Sequence, residues 1–469
     1  MAAETTLRAG AGMADITPEL GIQLAGDIGR CRPCEEIRER LYVRALVLEG
    51  GGRQCCLLSL DLLAASNDWA DQVRRRVGAA LGIPAEAVVF HILQNHAAPS
   101  LGHTFVSDEC DLFPPEHPWL RGGDDRYNSG CVEGCVAAAE EALMNLQPVT
   151  LSAGRMPDGR VAFNRRFVLR DGAALTHPGR CDPRILHAEG PTDPEVGVLA
   201  LTGADGSVAT LLHHTCHPTH GYPHRYVIAD WPGAWAEMVG ERLGGVPLVV
   251  NGCCGNIHHY NHIDPEYQQT DASHREMAAK LTRTALEVAE RLQPLESAPL
   301  AWERTMLRLP LRLLTPEVIA DAQRIIDAYP TPKFLDEEKT RVDWDWIYAA
   351  ATLDLKATQD KDPYCDYEIQ AFRLGDFALV ALMGEPFVEV QLRIKLESPA
   401  PFTFVAHFCN GYVGYIPTAD ALKRGGYETR TSNWSKFQPE ALEQIGDAAI
   451  GLLKKLFEEE KVLNRRIAE

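Results

Sequence analysis

Residues 208–262 read VATLLHHTCHPTHGYPHRYVIADWPGAWAEMVGERLGGVPLVVNGCCGNIHHYNH, and this stretch decides the fold. Val208 to Leu212 and Val246 to Val250 are short apolar runs of strand length, and Trp235 to Leu243 between them carries helical spacing. Strand, helix and strand within so short a span is the pattern of an α/β protein. Eight of the sixteen histidines fall inside this stretch, grouped just after the two apolar runs. His213, His214, His217, His220 and His224 follow the first, and His258, His259 and His262 follow the second. In open α/β sheets, ligands bind beyond the carboxyl ends of strands, so both groups are placed to converge on one crevice.

The same alternation extends in both directions. Tyr42 to Leu48 and Cys55 to Leu60 read as strands around the turn Gly50-Gly51-Gly52. Asp68 to Leu81 reads as a helix, Ala87 to Leu93 as a strand and Tyr127 to Leu146 as a long helix. Further on, His274 to Leu292 is helical, strands return near Ala371, at Phe377 to Leu382 and at Phe402 to Phe408, and Gln438 to Glu460 is a closing amphipathic helix. The expected fold class is α/β, mixed β-sheets flanked by helices. Residues 310–361 are charged and helical and read as an insertion or lid within one domain spanning 1–469, since no repeat and no low-complexity linker divides the chain.

Composition narrows the function. The 469 residues include 65 Asp and Glu against 46 Lys and Arg, a formal net charge of -19. Phosphate neutralisation needs clustered basic side chains, so nucleic acid is excluded as a partner, and an anionic membrane surface is disfavoured for the same reason. The first residues lack the continuous apolar core of a signal peptide, and no stretch has the roughly 18 apolar residues of a membrane helix. The expectation is a cytoplasmic protein with a small-molecule substrate and no membrane insertion; a homo-oligomer stays open. Thirteen cysteines in so long a chain point to reduced, mostly buried thiols rather than a disulfide framework.

Neutral imidazole is the commonest protein ligand for metals, and a histidine cluster with carboxylates nearby suits zinc or another first-row divalent ion. Any one of these histidines taken singly could equally be a core or surface group satisfied by hydrogen bonds. Gly252 and Gly255 flank Cys253-Cys254 in a tight turn that could aim backbone N–H groups at an anion, present a thiol nucleophile, or simply pack two small side chains. Asp61 and Asp230 are candidates to orient ligating imidazoles, or to serve as plain turn and cap residues. Trp119, Trp231, Trp344 and Trp346 could wall a site for a sugar or acyl group.

Ten short motifs then occur in a fixed order: AGMADITPE, YVRALVLEG, SLDLL, HAAPS, FNRRF, HHTCHPT, ADWPG, VNGCCGN, LMGEPF and YVGYIPT. Over about residues 10 to 430 the chain resembles the catalytic domain of the neutral ceramidases. The resemblance implies a metal amidase whose zinc is held by two histidines, a glutamate and a tyrosine beside a serine nucleophile. It carries His217, Glu385 and Tyr415 over as metal ligands, Arg165 and Tyr427 as groups that bind or polarise substrate, and His96 as a substrate-side histidine. Three positions depart from it. Gln94 stands where the family has its first metal histidine, and His258 stands at the serine nucleophile, with Asn256 at the acidic residue two before it.

The departures shape the expected mechanism. One divalent ion, zinc with manganese or nickel as alternatives, is held by His96, His217, Glu385 and Tyr415. It activates water for attack on an amide, ester, lactone or glycoside-type bond of a small soluble substrate. His258 acts as general base or extra ligand, Arg165 and Tyr427 stabilise developing charge, and Gln94, His259 and Asn256 face the substrate. Two other readings use the same residues: a metal-dependent lyase or isomerase that abstracts a proton beside a carbonyl, possibly of a carbohydrate, and an inactive relative that binds a ligand. Gln94 is the feature that favours the last.

Overall fold

The computed structural model describes residues 6–468, and side chains as far as residue 458. Three mixed sheets make up its centre. The first runs Val88–Ile92, Arg53–Leu60, Tyr42–Gly50, Arg8–Asp15 and Gln147–Pro148 from edge to edge. The second runs Val246–Asn251, Gly206–His214, Glu195–Gly203, Thr150–Pro157 and Gln293–Leu295, and the third Leu300–Pro310, Tyr364–Leu374, Phe377–Leu382 and Phe402–Ala406.

One layout recurs in all three. An antiparallel pair is followed by a helix and then by a strand parallel to the second member of the pair. The crossover helices are Asn67–Leu81, Asp230–Leu243 and Val388–Glu397. No sequence repeat announces this recurrence, because what recurs is a hydrophobic period and a chain path rather than particular residues.

Period two along each strand divides its side chains between two layers. Cys55 and Leu57, Ala209 and Leu211, Leu248 and Val250, and Phe377, Leu379 and Ala381 all point into a core shared by the three sheets. Their neighbours Cys56 and Leu58, Leu212, Val249, and Ala378, Val380 and Leu382 point outward beneath the helices. The 67–81 helix buries Ala70, Val73, Val77 and Leu81, spaced three and four apart, and stops at Gly82 in the left-handed region. Its buried Arg74 pairs with Glu368 of the third sheet through two bonds of 2.8 and 2.9 Å, which ties the first unit to the third.

Several elements lie outside what periodicity reveals. Arg8–Asp15 is a strand although its sequence, RAGAGMAD, has little strand propensity. A Cβ on Gly10 or Gly12 would lie 2.0 or 2.3 Å from backbone oxygens of the Asp125–Met144 helix, so the glycines are there to let helix and strand touch. The helix expected from Trp235 begins at Asp230, whose carboxylate accepts the Trp231 N–H at 2.6 Å. Between the paired strands Leu300–Pro310 and Tyr364–Leu374 the chain makes two helices, Pro316–Ala328 and Trp344–Lys361. Among the described residues no helix is long and apolar enough to cross a membrane.

Candidate functional site

The parallel strand of each unit, and the strand it pairs with, end on the same side of the molecule, and the chain just beyond those ends builds the site. Gln94 and His96 follow Val88–Ile92, His217 follows Gly206–His214, and His258 follows Val246–Asn251. Glu385 follows Phe377–Leu382, and Tyr415 lies beyond Phe402–Ala406. Backbone pairing fixes two couples in register: His217 beside His258, and Glu385 beside Tyr415. A further link, His96 N–H to the Pro218 carbonyl at 3.0 Å, joins the first unit to the second.

These ends surround a cavity of about 440 Å³ lined by His96, Arg165, His177, His217, His258 and Tyr415, with Trp344 and Tyr427 among the other wall residues. His217 donates from Nδ1 to the Cys254 carbonyl at 2.8 Å, which leaves the Nε2 lone pair facing inward. That Nε2 is buried without a partner, 3.7 Å from Glu385 Oε2. Nε2 of His96 is likewise buried and unpartnered, and the two rings are 5.5 Å apart. Burial holds both imidazoles far below their ordinary range, His96 at about 3, so both are neutral.

Glu385 is fully enclosed, and burial pushes its carboxyl up to about 7 against the opposing pull of Arg165. The Gln94 amide, on a backbone with φ of 67°, donates to Glu385 Oε2 at 2.5 Å. Gln94 Oε1 in turn accepts from the Cys254 thiol at 3.4 Å. Arg165 is held by three bonds: Nε to Glu428 at 2.8 Å, and Nη2 to the Gly255 carbonyl at 2.7 Å and to the Tyr415 hydroxyl at 3.2 Å. Beneath it, Glu428 also accepts from Arg166 and Thr176, each at 2.6 Å, and Arg166 pairs with Glu189. The cluster of two arginines and two glutamates is neutral, and its work is to aim one guanidinium at one phenol.

A divalent ion would find suitable donors here: two neutral imidazole nitrogens with no other partner, a carboxylate and a phenol, with the His217 tautomer fixed from behind. The side chains stand further apart than a closed coordination shell, and among the described residues no group of three or more His, Cys, Asp or Glu converges at metal-binding distance. The donor set fits in chemistry, and Gln94 now takes the carboxylate oxygen that faces His217.

Other residues singled out from sequence have different placements. His258 accepts the Tyr260 N–H at Nδ1, 3.0 Å, so Nε2 carries the proton and donates to Thr219 Oγ1 at 2.6 Å. Both its nitrogens are engaged, which leaves no lone pair for a base or ligand. Gln94, His259 and Asn256, expected to meet substrate, are all absent from the cavity wall. Asn256 instead accepts the first N–H of the 388–397 helix at 3.0 Å and donates to Glu389. His259 stacks on His220 at 3.6 Å, and His220 Nδ1 donates to Asp230 Oδ1 at 2.7 Å, so Asp230 orients an imidazole one layer behind the wall. Asp61 bonds to Arg44 and the Tyr42 N–H and touches no histidine.

The Cys253-Cys254 turn offers carbonyls rather than N–H groups: Cys254 O is taken by His217 and Gly255 O by Arg165. Gly255 is required because a Cβ there would lie 2.4 Å from the Glu385 carbonyl oxygen. Burial pushes both thiols up, the opposite of what a nucleophile needs. Of the four tryptophans, Trp344 alone reaches the cavity, and Trp119, Trp231 and Trp346 are core.

His177 was not legible in the sequence as a site residue. It lies on the wall with φ of 51°, its Nδ1 3.1 Å from His262 Nε2 and its ring 4.6 Å from that of His258. A non-glycine residue in the left-handed region is a signal only coordinates carry.

Three sheets meeting round one core, with a histidine-lined cavity at their strand ends, define an α/β class in which the site belongs to no single sheet. Among solved structures, the chain has the fold of the neutral ceramidases. It superposes on neutral ceramidase from Pseudomonas aeruginosa with a TM-score of 0.73 at 19% identity, covering 97% of this chain and 75% of that one. A ceramidase complexed with C2 gives a TM-score of 0.72 at 19% identity, over 97% and 76% of the two chains. No family model matches the sequence, and no curated protein matches it. The likeness is one of fold, as the expected resemblance required.

Proposed function

We propose that the chain is a metal-dependent hydrolase of a small soluble substrate carrying an amide, ester, lactone or glycoside-type bond. One observation carries this reading: Nε2 of His96 and of His217, both buried, neutral and unpartnered, stand beside the Glu385 carboxylate at a cavity large enough for a small molecule. Buried polar atoms normally have partners, and two imidazole nitrogens without one, side by side and next to a carboxylate, are the donor chemistry a divalent ion takes.

His96, His217, Glu385 and Tyr415 would hold the ion, and Gln94 must release Glu385 for it to bind. The ion would supply Lewis acidity, polarising a substrate oxygen and making water acidic at neutral pH. Arg165, immobilised by Glu428, supports negative charge on Tyr415 and on a substrate oxygen beside it. Tyr427, 43% exposed at the rim and 5.7 Å from the Tyr415 ring, closes the same side. With both nitrogens of His258 engaged, His177 is the wall imidazole with a relay partner, its Nδ1 3.1 Å from His262 Nε2, and burial pushes it down to about 3, so it would pass a proton on rather than hold one.

The test is elemental analysis of protein purified without a chelating tag, for the parent and for His217→Ala and Glu385→Ala. One equivalent of zinc, manganese or nickel in the parent, lost in both variants, is the expected result. Metal unaffected by either change refutes the ligand set. A second reading has its own observation. The 2.5 Å bond from Gln94 to Glu385 satisfies the carboxylate with no ion present, as a metal-free binding protein would require. No metal in the parent and no affinity for added zinc would favour that reading.

A further inference from the structure

The cavity wall has an unusual composition. Among the described residues that line it there is no Val, Leu, Ile, Met or Phe. Besides the histidines, its rings are one tryptophan and four tyrosines, each carrying its own polar atom. An acyl chain buries its methylenes against hydrocarbon, so this wall gives such a chain little to bind.

Charge is equally balanced. Arg165 is spent on Glu428, and Asp27 accepts the Tyr222 hydroxyl at 2.7 Å and pairs with Arg30. Apart from the ion that the proposed ligands would hold, the wall's side chains offer no uncommitted cation to a phosphate or carboxylate. What remains is a ring of directional donors and acceptors, Thr219, Gln269 and Tyr260 among them, under a half-open aromatic face. That face is Trp344, 39% exposed and the first residue of the 344–361 helix, placed against Gly29, where even a Cβ would lie 2.9 Å from its Nε1. Within the 316–361 segment, Trp344 is the one residue that reaches the cavity.

We infer that the cavity takes a neutral, polyhydroxylated molecule of sugar size, hydrogen-bonded to the wall and stacked on Trp344. Hydroxyls satisfy the wall's donors and acceptors, the C–H face of a sugar ring lies on an aromatic ring, and 440 Å³ is within the range of small-molecule sites. The inference rests on reading this cavity as the reaction site, and it selects sugar lactones, N-acylated amino sugars and glycosides from the broader bond classes above.

The experiment is isothermal titration of the full chain with methyl glucoside, gluconolactone and N-acetylglucosamine, set against glucose 6-phosphate, glucuronate and N-octanoylethanolamine. At least one neutral sugar is expected to bind, no charged or octanoyl compound to bind more tightly, and Trp344→Ala to weaken the sugar about tenfold, with Trp344→Phe close to the parent. Trp344 is half-open, and equal melting temperatures would show that both variants fold. Silence from every neutral sugar, tighter binding of an anionic or octanoyl probe, or an unchanged affinity in Trp344→Ala overturns the inference. Mass spectrometry of the same mixtures in heavy-oxygen water separates this from the hydrolase reading. Sugar binding without oxygen incorporation refutes the hydrolase and leaves the ligand class standing; hydrolysis of the octanoyl amide without sugar binding does the reverse.

Discussion

Glu428→Gln removes one charge from the centre of the arginine cluster while keeping the side chain's size. In the parent, Glu428 and Arg166 are wholly buried and Arg165 nearly so, and all three bonds to the carboxylate are at 2.6 to 2.8 Å. Deleting one partner of a buried pair costs about 3–5 kcal/mol, because the remaining guanidinium groups keep their desolvation and lose their counter-charge. For 469 residues the unfolding entropy is about 1 kcal/mol per degree, so the melting temperature should fall by about 3–5 °C. The effect has a pH signature. Burial alone would raise the Glu428 carboxyl, but Arg165, Arg166 and Thr176 outweigh it and hold it below its ordinary range. A depressed carboxylate contributes stability that is complete above its unfolded value, about 4.3, and is lost as pH falls through the folded one. The gap between parent and variant should therefore be constant from pH 8 to 5 and narrow below about pH 4. Calorimetric melting at several pH values is the assay. A shift under about 1 °C at pH 7, or a gap that widens in acid, would refute the view that this charge holds Arg165 in place.

The other expectations are briefer. Asn256→Ala leaves the first N–H of the 388–397 helix without its acceptor and should cost about 1–3 kcal/mol in urea unfolding while metal content stays at the parent level; loss of metal would return Asn256 to the site. Gly255→Ala forces a Cβ to 2.4 Å from the Glu385 carbonyl, so it should cost about 1–3 kcal/mol and lower zinc affinity together, and a variant with parental zinc affinity would show that the turn does not position Glu385. Gln94→His replaces an amide with an imidazole at a backbone position histidine tolerates, and competition against a chelator should show zinc held about tenfold more tightly or better; an unchanged affinity would mean that Gln94 does not limit the site.

How much of this the sequence carried depends on what kind of constraint each residue obeys. Apolar runs marked the parallel strands, which are buried on both faces, and helical spacing marked the crossover helices 67–81 and 230–243, while the crossover helix 388–397 was not anticipated. The strands paired at their sides were harder to see. Arg8–Asp15 is a strand because a helix packs on its glycines, a tertiary reason with no local trace. Around the cavity, His217, Glu385 and Tyr415 were legible through the motifs HHTCHPT, LMGEPF and YVGYIPT that carry the resemblance, and the structure places all three beyond strand ends. Histidine content itself was a poorer guide. His213 stacks on Phe404 in the core, His220 and His259 form a buried stack, and His258 is saturated by two hydrogen bonds, whereas His177, isolated in the sequence, reaches the wall.

The same distinction explains Gln94. On composition alone it weakens a metal site, yet its placement does more than subtract a ligand. Its amide donates to Glu385 on one side and accepts the Cys254 thiol on the other, and the Cys254 carbonyl fixes the His217 tautomer. One short chain of bonds therefore connects the residue that departs from the family pattern to two that keep it. An amide carries a donor and an acceptor at once. Turning its oxygen toward Glu385 would break both of its bonds, so an ion must displace the N–H from the carboxylate before it can bind. On the proposed ligand set, metal affinity would depend on the free energy of releasing Gln94 as much as on the ligands, and that is why Gln94→His is expected to strengthen binding twice over, by adding an imidazole and by removing the competitor.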